Sequence, residues 1–400
     1  MRLLRSVILD LFDKCDNYKL ADEVKQKGIY PYFHCLESKQ GPVVTMEGKR
    51  RIMLGSNNYL GLTSNNEVIE AGIKALEKYG SGCSGSRFLN GTLDMHQVLE
   101  EELASFLNKE DVCTFSTGFQ TNLGIISAVA GRDDYIFCDR ENHASIYDGC
   151  KLSNAKMLRF FHNDMEDLEA KLQSVPLNVG KLIITDGVFS MSGDIARLPE
   201  IVKLGKKYNA RIMVDDAHGL GVIGKGGRGT ASYFNLENEV DIYMGTFSKS
   251  LASLGGYMAA SKRVISFVRH NSRPFIFSAS ITPSSCATAL ASLRILKKTP
   301  ELVENLHNLS VYVRNGLAER EVKMKPCENP IIPIVPIYTY DLISTLTKGK
   351  ELYEEGVYVN PVLPPAVPSN ECLLRTSYMA THTFEVLDEA MDKIKTVVER

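Results

Sequence analysis

The chain repeats one local grammar, and that grammar limits the folds open to it. A short, continuously apolar run ends in glycine or polar residues, and a helical pattern follows. VCTF precedes STGF, YIFC precedes DRENH, LIIT precedes DGVFS, IMV precedes DDAH and IYM precedes GTFSK. A strand with one wet face alternates apolar and polar residues. A strand covered on both faces stays apolar throughout, as in a parallel sheet flanked by helices. The runs therefore predict one large α/β domain over residues 46–290 with a mainly parallel sheet. Among the intervening helices, VIEAGIKALEKYG places Val68, Ile69, Ile73 and Leu76 on one face, with Gly80 as its stop.

The pattern changes after residue 290. IIPIVPIYTY and ECLLRTSYM read as strands and THTFEVLDEAMDKIKTVVER as a terminal helix. On that helix Phe384, Leu387, Met391 and Ile394 share a face, and Thr383 is placed to cap it. Residues 291–400 are expected to form a smaller α+β domain, with PVLPPAVP as an ordered loop. Residues 1–45 form a separate N-terminal segment. Its apolar stripe, Leu4, Val7, Ile8 and Leu11, is expected to pack on the body or on a partner subunit, with peripheral membrane contact as the alternative. Asp10 and Asp13 interrupt that stretch and no small-residue cleavage site follows, which argues against a signal peptide.

Composition excludes several classes. A formal net charge of -2 without long single-sign runs gives no footprint for nucleic acid. No stretch approaches a membrane span. The 9 cysteines are scattered without CxxC or metal-type spacing, as expected of reduced thiols in a cytoplasmic enzyme.

In an open α/β sheet, ligands bind beyond the carboxyl ends of the strands, so the residues that end each run are the first candidates. VCTFSTGFQTNLG is a strand, a turn and a helix start, where free backbone N–H groups hold phosphate and Gly118 allows close approach. Taken alone, this piece is equally a plain strand-to-helix turn. His143 follows another strand; a single histidine is usually structural, but its flat ring suits stacking on a heteroaromatic. VDDAH supplies Asp215 and, three residues on, His218. A buried carboxylate pairs well with a protonated pyridine nitrogen, which pyridoxal phosphate (PLP) offers, while a metal site is the competing reading. Lys249 lies between the apolar segments IYM and LASLGGYMAA, beside Thr246 and Ser248. A desolvated lysine loses proton affinity and becomes an amine nucleophile or base. With DGVFS between His143 and VDDAH, these five pieces occur in one order, which chance does not readily assemble.

That order resembles the α-oxoamine synthase family of PLP enzymes, with the aspartate-aminotransferase-like fold (fold type I). The resemblance covers nearly the whole chain through NNYLGL, SGSRFLNGT, FSTGFQTNLG, HASIYDG, GVFSMSGD, VDDAHGLG, GTFSK, RPFIFSAS and LLRTSY. It implies that Lys249 holds PLP as a Schiff base and moves the substrate's α-proton, that Asp215 pairs with the pyridine nitrogen, and that His143 stacks on the ring. It implies that His218 and Ser190 contact the phenolic oxygen, and that Gly118, Phe119, Thr246 and Ser248 hold the phosphate. Arg375 would clamp the amino-acid carboxylate with Asn57 beside it. Members are homodimers with shared sites, so Ser278 would reach the neighbouring subunit's phosphate. Substrates would be an amino acid and an acyl-CoA.

Four activities lie close together in that family. GTFSKSLASLGGY is most similar to the bacterial serine palmitoyltransferase branch, which makes L-serine and a long-chain acyl-CoA the expected substrates. The alternatives are 2-amino-3-ketobutyrate CoA ligase, 8-amino-7-oxononanoate synthase and 5-aminolevulinate synthase. A scaffold that has lost catalysis is disfavoured by the retained lysine, ring-binding residues and Arg375. The loop PVLPPAVP has Ala366 where relatives often carry threonine in a PPTxP-like sequence, or where the serine palmitoyltransferase branch tends to show PPATP, so no substrate contact is assigned to it.

Overall fold

The structure is a computed structural model and describes residues 10–327, 330–364 and 366–400. Strands β1 (Val43–Met46) and β2 (Lys49–Met53) form an antiparallel hairpin. A seven-stranded sheet follows, built from β3 (Asp111–Phe115), β4 (Tyr135–Asp139), β5 (Lys156–Phe160), β6 (Lys181–Asp186), β7 (Arg211–Asp215), β8 (Ile242–Thr246) and β9 (Gly256–Ala260). Its order is β3-β9-β8-β7-β6-β4-β5. Pairing is parallel from β8 to β5, and β9 runs antiparallel between β3 and β8.

Why the apolar runs do not alternate is visible in the packing. Phe137, Ile183, Val214, Tyr243 and Tyr257 enter one apolar core, while their chain neighbours Ile136, Ile184, Met213, Met244 and Met258 enter a second core on the opposite face. Each sheet face meets helices, so every position along β6, β8 and β9 is buried. All five runs read as strands are strands. The other two strands of the sheet, β5 and β9, were not singled out by that grammar.

The C-terminal part contributes β10 (Ile334–Tyr340), β11 (Val357–Tyr358), β12 (Asn360–Val362) and β13 (Cys372–Ser377). β13 lies between β10 and β12, while β11 pairs in parallel with β2. Ile52 and Leu54 share a core with Ile337, Leu374, Leu387 and Met391, so the chain around β2 packs with C-terminal elements. Residues 290 and 291 both lie within the helix Pro283–Lys298. The last helix spans Phe384–Glu399, and the Thr383 side chain accepts from the Val386 N–H. Leu387, Met391 and Ile394 are buried as expected; Phe384 is exposed, with its ring edge on Tyr312.

One helix face differs from expectation. Helix Asn66–Tyr79 does end at Gly80, where φ is 80°. Val68 is buried, but Ile73 and Leu76 are exposed at 49% and 44%. The face that packs on helix Pro283–Lys298 is built instead on Gly72 and Ala75. A Cβ at Gly72 would stand 3.1 Å from Thr288 Cγ2, so small residues are what let the two helices approach. Hydrophobic periodicity favours large side chains and overlooks such a seam.

Leu4, Val7 and Ile8 of the N-terminal stripe lie outside the described residues, and Leu11 is exposed. Helices Asp13–Asp16 and Leu20–Gln26 follow; Val24 and Ile29 pack on Leu346. Among the described residues, no helix is long and apolar enough to cross a membrane. The loop after β12 is described except for residue 365.

Candidate active site

The strand ends converge on one crevice. β3 leads into helix Gly118–Val129, whose N-cap Thr117 accepts from the Gln120 N–H. The first N–H groups of a helix have no partner within it, so this end offers donors to an anion. A Cβ at Gly118 would lie 2.9 Å from Thr246 Oγ1, so glycine is what brings the helix start against the end of β8. Thr246 Oγ1 and Ser248 Oγ are 2.9 Å apart, and Thr246 Oγ1 donates to the Gly255 carbonyl at 3.0 Å.

Asp215 ends β7 and is buried. It accepts from Asn122 Nδ2 at 2.7 Å and from the Ala217 N–H at 3.0 Å. Asn122 also donates to Ser145 Oγ, which lies 2.7 Å from His143 Nδ1. One chain of hydrogen bonds therefore sets both Asp215 and the imidazole that caps helix Ala144–Ser153. Burial lowers the proton affinity of His143, and the Lys249 ammonium lowers it further against the opposing charge of Asp215.

Lys249 follows β8. Burial of its amine, helped by the Arg375 guanidinium and opposed by Asp215 and Asp186, brings its pKa down to about 8. His218 is buried, and loss of hydration with nearby Lys249, Arg375 and His143 holds it well below the usual histidine range. A neutral ring can accept, and its Nδ1 stands 2.6 Å from the Tyr59 hydroxyl.

Arg375 on β13 is buried. Its Nη2 donates to Asn57 Oδ1 at 2.9 Å and to the Tyr59 hydroxyl at 3.3 Å, and its Nε donates to the Ser190 carbonyl. None of these partners is a carboxylate, which leaves the guanidinium's charge available to an anion. Tyr59 and Asn122 are two residues that sequence reasoning missed. Tyr59 stands in the quoted motif NNYLGL, and Asn122 lies one helical turn after Gly118, so both carried a signal. Asp186 was missed too; it ends β6 beside the LIIT run, and burial with Asp215 pushes its carboxyl well up.

Two adjoining cavities share His143, His218 and Lys249. The inner one, about 290 Å3, is walled by Gly118, Phe119, Asn122, Asp215, Thr246 and Ser248. The outer one, about 600 Å3, holds Asn57, Ser190 and Arg375. Its far side is apolar, formed by Leu20, Val24, Leu342, Leu346, Leu363 and Ala366. The PVLPPAVP loop, to which no substrate contact was assigned, thus lines this cavity. Of the remaining candidates, Ser278 lies within the same chain's hydrogen-bond reach, accepting from Gln120 Nε2 at 3.3 Å. Among the described residues, ligand atoms close enough to share a metal ion occur at Glu141, His162 and Asp194, a group that does not include Asp215 or His218.

A helix start and two hydroxyls for a phosphate, a buried carboxylate, a flat imidazole and a lysine of depressed pKa fit a phosphorylated pyridine aldehyde. These features define a fold type I PLP enzyme. The chain belongs to the aminotransferase class I and II family, whose model matches residues 49–394. It is 50% identical to the serine palmitoyltransferase of Sphingobacterium spiritivorum over 98% of this chain and 97% of that one. A putative 8-amino-7-oxononanoate synthase of Acetivibrio thermocellus is 42% identical over 93% and 95%. Among solved structures, a serine palmitoyltransferase from S. paucimobilis with a bound PLP–myriocin aldimine superposes with a TM-score of 0.94 at 38% identity, covering 97% of this chain and 98% of that one.

Proposed function

We propose that this chain is a PLP-dependent acyltransferase that condenses L-serine with a long-chain acyl-CoA, palmitoyl-CoA by preference. Carbon dioxide and CoA leave, and 3-ketodihydrosphingosine is formed, the first step of sphingolipid synthesis. The observation that carries the choice is the charge distribution in the outer cavity. Its cations, Lys249 and Arg375, stand at the inner end with the two histidines, and none of the residues on the apolar far side is charged. The product name 8-amino-7-oxononanoate implies an acyl donor that ends in a carboxylate, and burying that group needs a cation. An alkyl chain needs none and gains from the apolar wall.

When bound, PLP supplies an electron sink for the carbanion formed next to the substrate nitrogen. Helix start Gly118–Phe119, Thr246 and Ser248 hold the phosphate end. Asp215, fixed by Asn122, keeps a negative charge where a ring nitrogen needs its proton. His143 covers one ring face, and neutral His218 with Tyr59 offers a hydrogen bond at the ring oxygen. Arg375 and Asn57 hold the amino-acid carboxylate, which sets which bond at Cα stands ready to break. Lys249 Nζ takes the α-proton and returns it, a task suited to a pKa near 8.

The assembly is a cytoplasmic homodimer with shared sites. Its support is the exposure of Leu89, Leu254 and Phe277 at 74%, 54% and 78%; Leu254 lines the inner cavity and Phe277 precedes Ser278. Purified holoenzyme is tested with serine or glycine against acyl-CoAs of two to eighteen carbons, with CoA release and product mass as readouts. Serine with the sixteen-carbon donor is expected to react best. Reaction only with glycine and acetyl-CoA would replace this reading with the ketobutyrate ligase.

A further inference from the structure

The loop between β6 and the next helix makes a tight turn over residues 189–194. Val188 bridges Ile195, the Phe189 N–H donates to the Asp194 carbonyl at 2.9 Å, and the Gly193 N–H returns to the Phe189 carbonyl at 3.0 Å. Gly193 has a φ of 72°, the conformation that lets the chain reverse there. Ser190, inside this turn, presents the carbonyl that receives Arg375 Nε. The guanidinium's orientation thus depends on where the turn is held.

What holds the turn is a cluster of charges outside the cavity. Asp194 Oδ2 accepts from Lys325 Nζ at 2.6 Å and stands 3.2 Å from His162 Nε2. His162 Nδ1 lies 3.1 Å from Asp139 Oδ1 at the end of β4, and the ring edge meets Phe189 at 4.4 Å. Asp139 Oδ2 accepts from the Asn163 N–H, and Asn163 Nδ2 donates to the Ile195 carbonyl. Glu141 Oε2 is the remaining acid facing the imidazole, at 3.7 Å. Both ring nitrogens face carboxylate oxygens, so both must donate, and only the imidazolium does so. These partners outweigh the cost of burial and bring His162 up to about 9.

Lys325 ties the same cluster to the strand that carries the guanidinium. Its N–H donates to the Pro336 carbonyl at 3.0 Å, and Pro336 on β10 is the register partner of Arg375 on β13. The cluster therefore fixes Arg375 from two sides, through the Ser190 carbonyl and through the β10–β13 pair.

We infer that His162, Asp139, Asp194 and Lys325 form a charged clamp that positions Arg375, and hence the amino-acid carboxylate, across the two parts of the chain. The inference rests on the reading that Arg375 holds that carboxylate. The clamp residues touch neither substrate nor cofactor. They are positioning residues, and their loss should weaken amino-acid binding more than turnover.

The test compares holoenzyme variants His162→Gln, Lys325→Met and Lys325→Arg with the parent. L-Serine affinity is measured by spectral titration, kcat and KM are measured separately, and amide exchange of residues 188–195 is followed without substrate. His162→Gln and Lys325→Met should each raise the serine Kd and KM about tenfold, change kcat less than about threefold, and speed exchange in the turn. Lys325→Arg keeps the cation and should restore affinity. Should His162→Gln fail to fold, the Lys325 pair decides alone, because that side chain is partly exposed. Unchanged serine affinity in Lys325→Met, or an equal loss in Lys325→Arg, overturns the clamp. Arg375→Lys separates the two readings: if it leaves serine affinity intact, the carboxylate role fails, and the clamp loses its purpose with it.

Discussion

Lys249 can be tested before any substrate is added. Its pKa of about 8 against the ordinary 10.5 is a claim about how much free amine exists at neutral pH. At pH 7 an ordinary lysine is neutral in about three molecules in ten thousand, while a lysine at 8 is neutral in about one in ten, a gain of ~300-fold. Only the neutral amine attacks an aldehyde, so the difference appears directly in rate. The apoprotein is mixed with PLP by stopped flow from pH 6 to 11, and growth of the visible band is set beside the same reaction of an Nα-blocked lysine, whose rate should go on climbing to about pH 10.5. The protein's rate should climb about tenfold per pH unit to a plateau near pH 8. Arg375→Met removes a cation that lowers this pKa and should move the midpoint upward. A rate that climbs without a break past pH 10 would refute the claim that burial frees this amine.

Three further outcomes follow from the site. Asp215→Asn removes the buried negative charge that Asn122 orients and should lower kcat at least about 100-fold, measured by CoA release with folding checked by circular dichroism. Tyr59→Phe leaves buried His218 Nδ1 without its 2.6 Å partner and should cost about 1–3 kcal/mol of stability in denaturant titration, with a higher serine KM because Arg375 also loses a contact. Leu20→Arg places a cation at the partly exposed rim of the apolar wall. It should lower kcat/KM for the sixteen-carbon donor about tenfold or more while sparing short acyl donors.

The parts of the fold legible in the sequence are those where burial leaves one signature. Strands covered on both faces become unbroken apolar runs, and all five such runs are strands of the sheet, including β3 at one edge. β5, at the other edge, was passed over because the exposed Lys156 and Arg159 break its apolar run. The Gly72–Ala75 seam was passed over because close packing there uses small residues that carry little hydrophobic signal. In the site, the residues that end runs were found except Asp186, while the side chains that orient them were not. Asn122 and Tyr59 act through partners 93 and 159 positions away in the chain, and local spacing cannot report such pairings. The N-terminal wall of the outer cavity escaped notice for a related reason. Helix Leu20–Gln26 is short and largely polar, and its role comes from the elements it covers.

The central claim is that Lys249 is the residue through which this chain holds its cofactor. Holoenzyme is reduced with borohydride, digested, and the pyridoxyl-bearing peptide sequenced by mass spectrometry. The label is expected on Lys249 within GTFSKS, with the Lys249→Ala protein showing neither the label nor the visible band. A pyridoxyl group on any other lysine, or a visible band that survives Lys249→Ala unchanged, would contradict it.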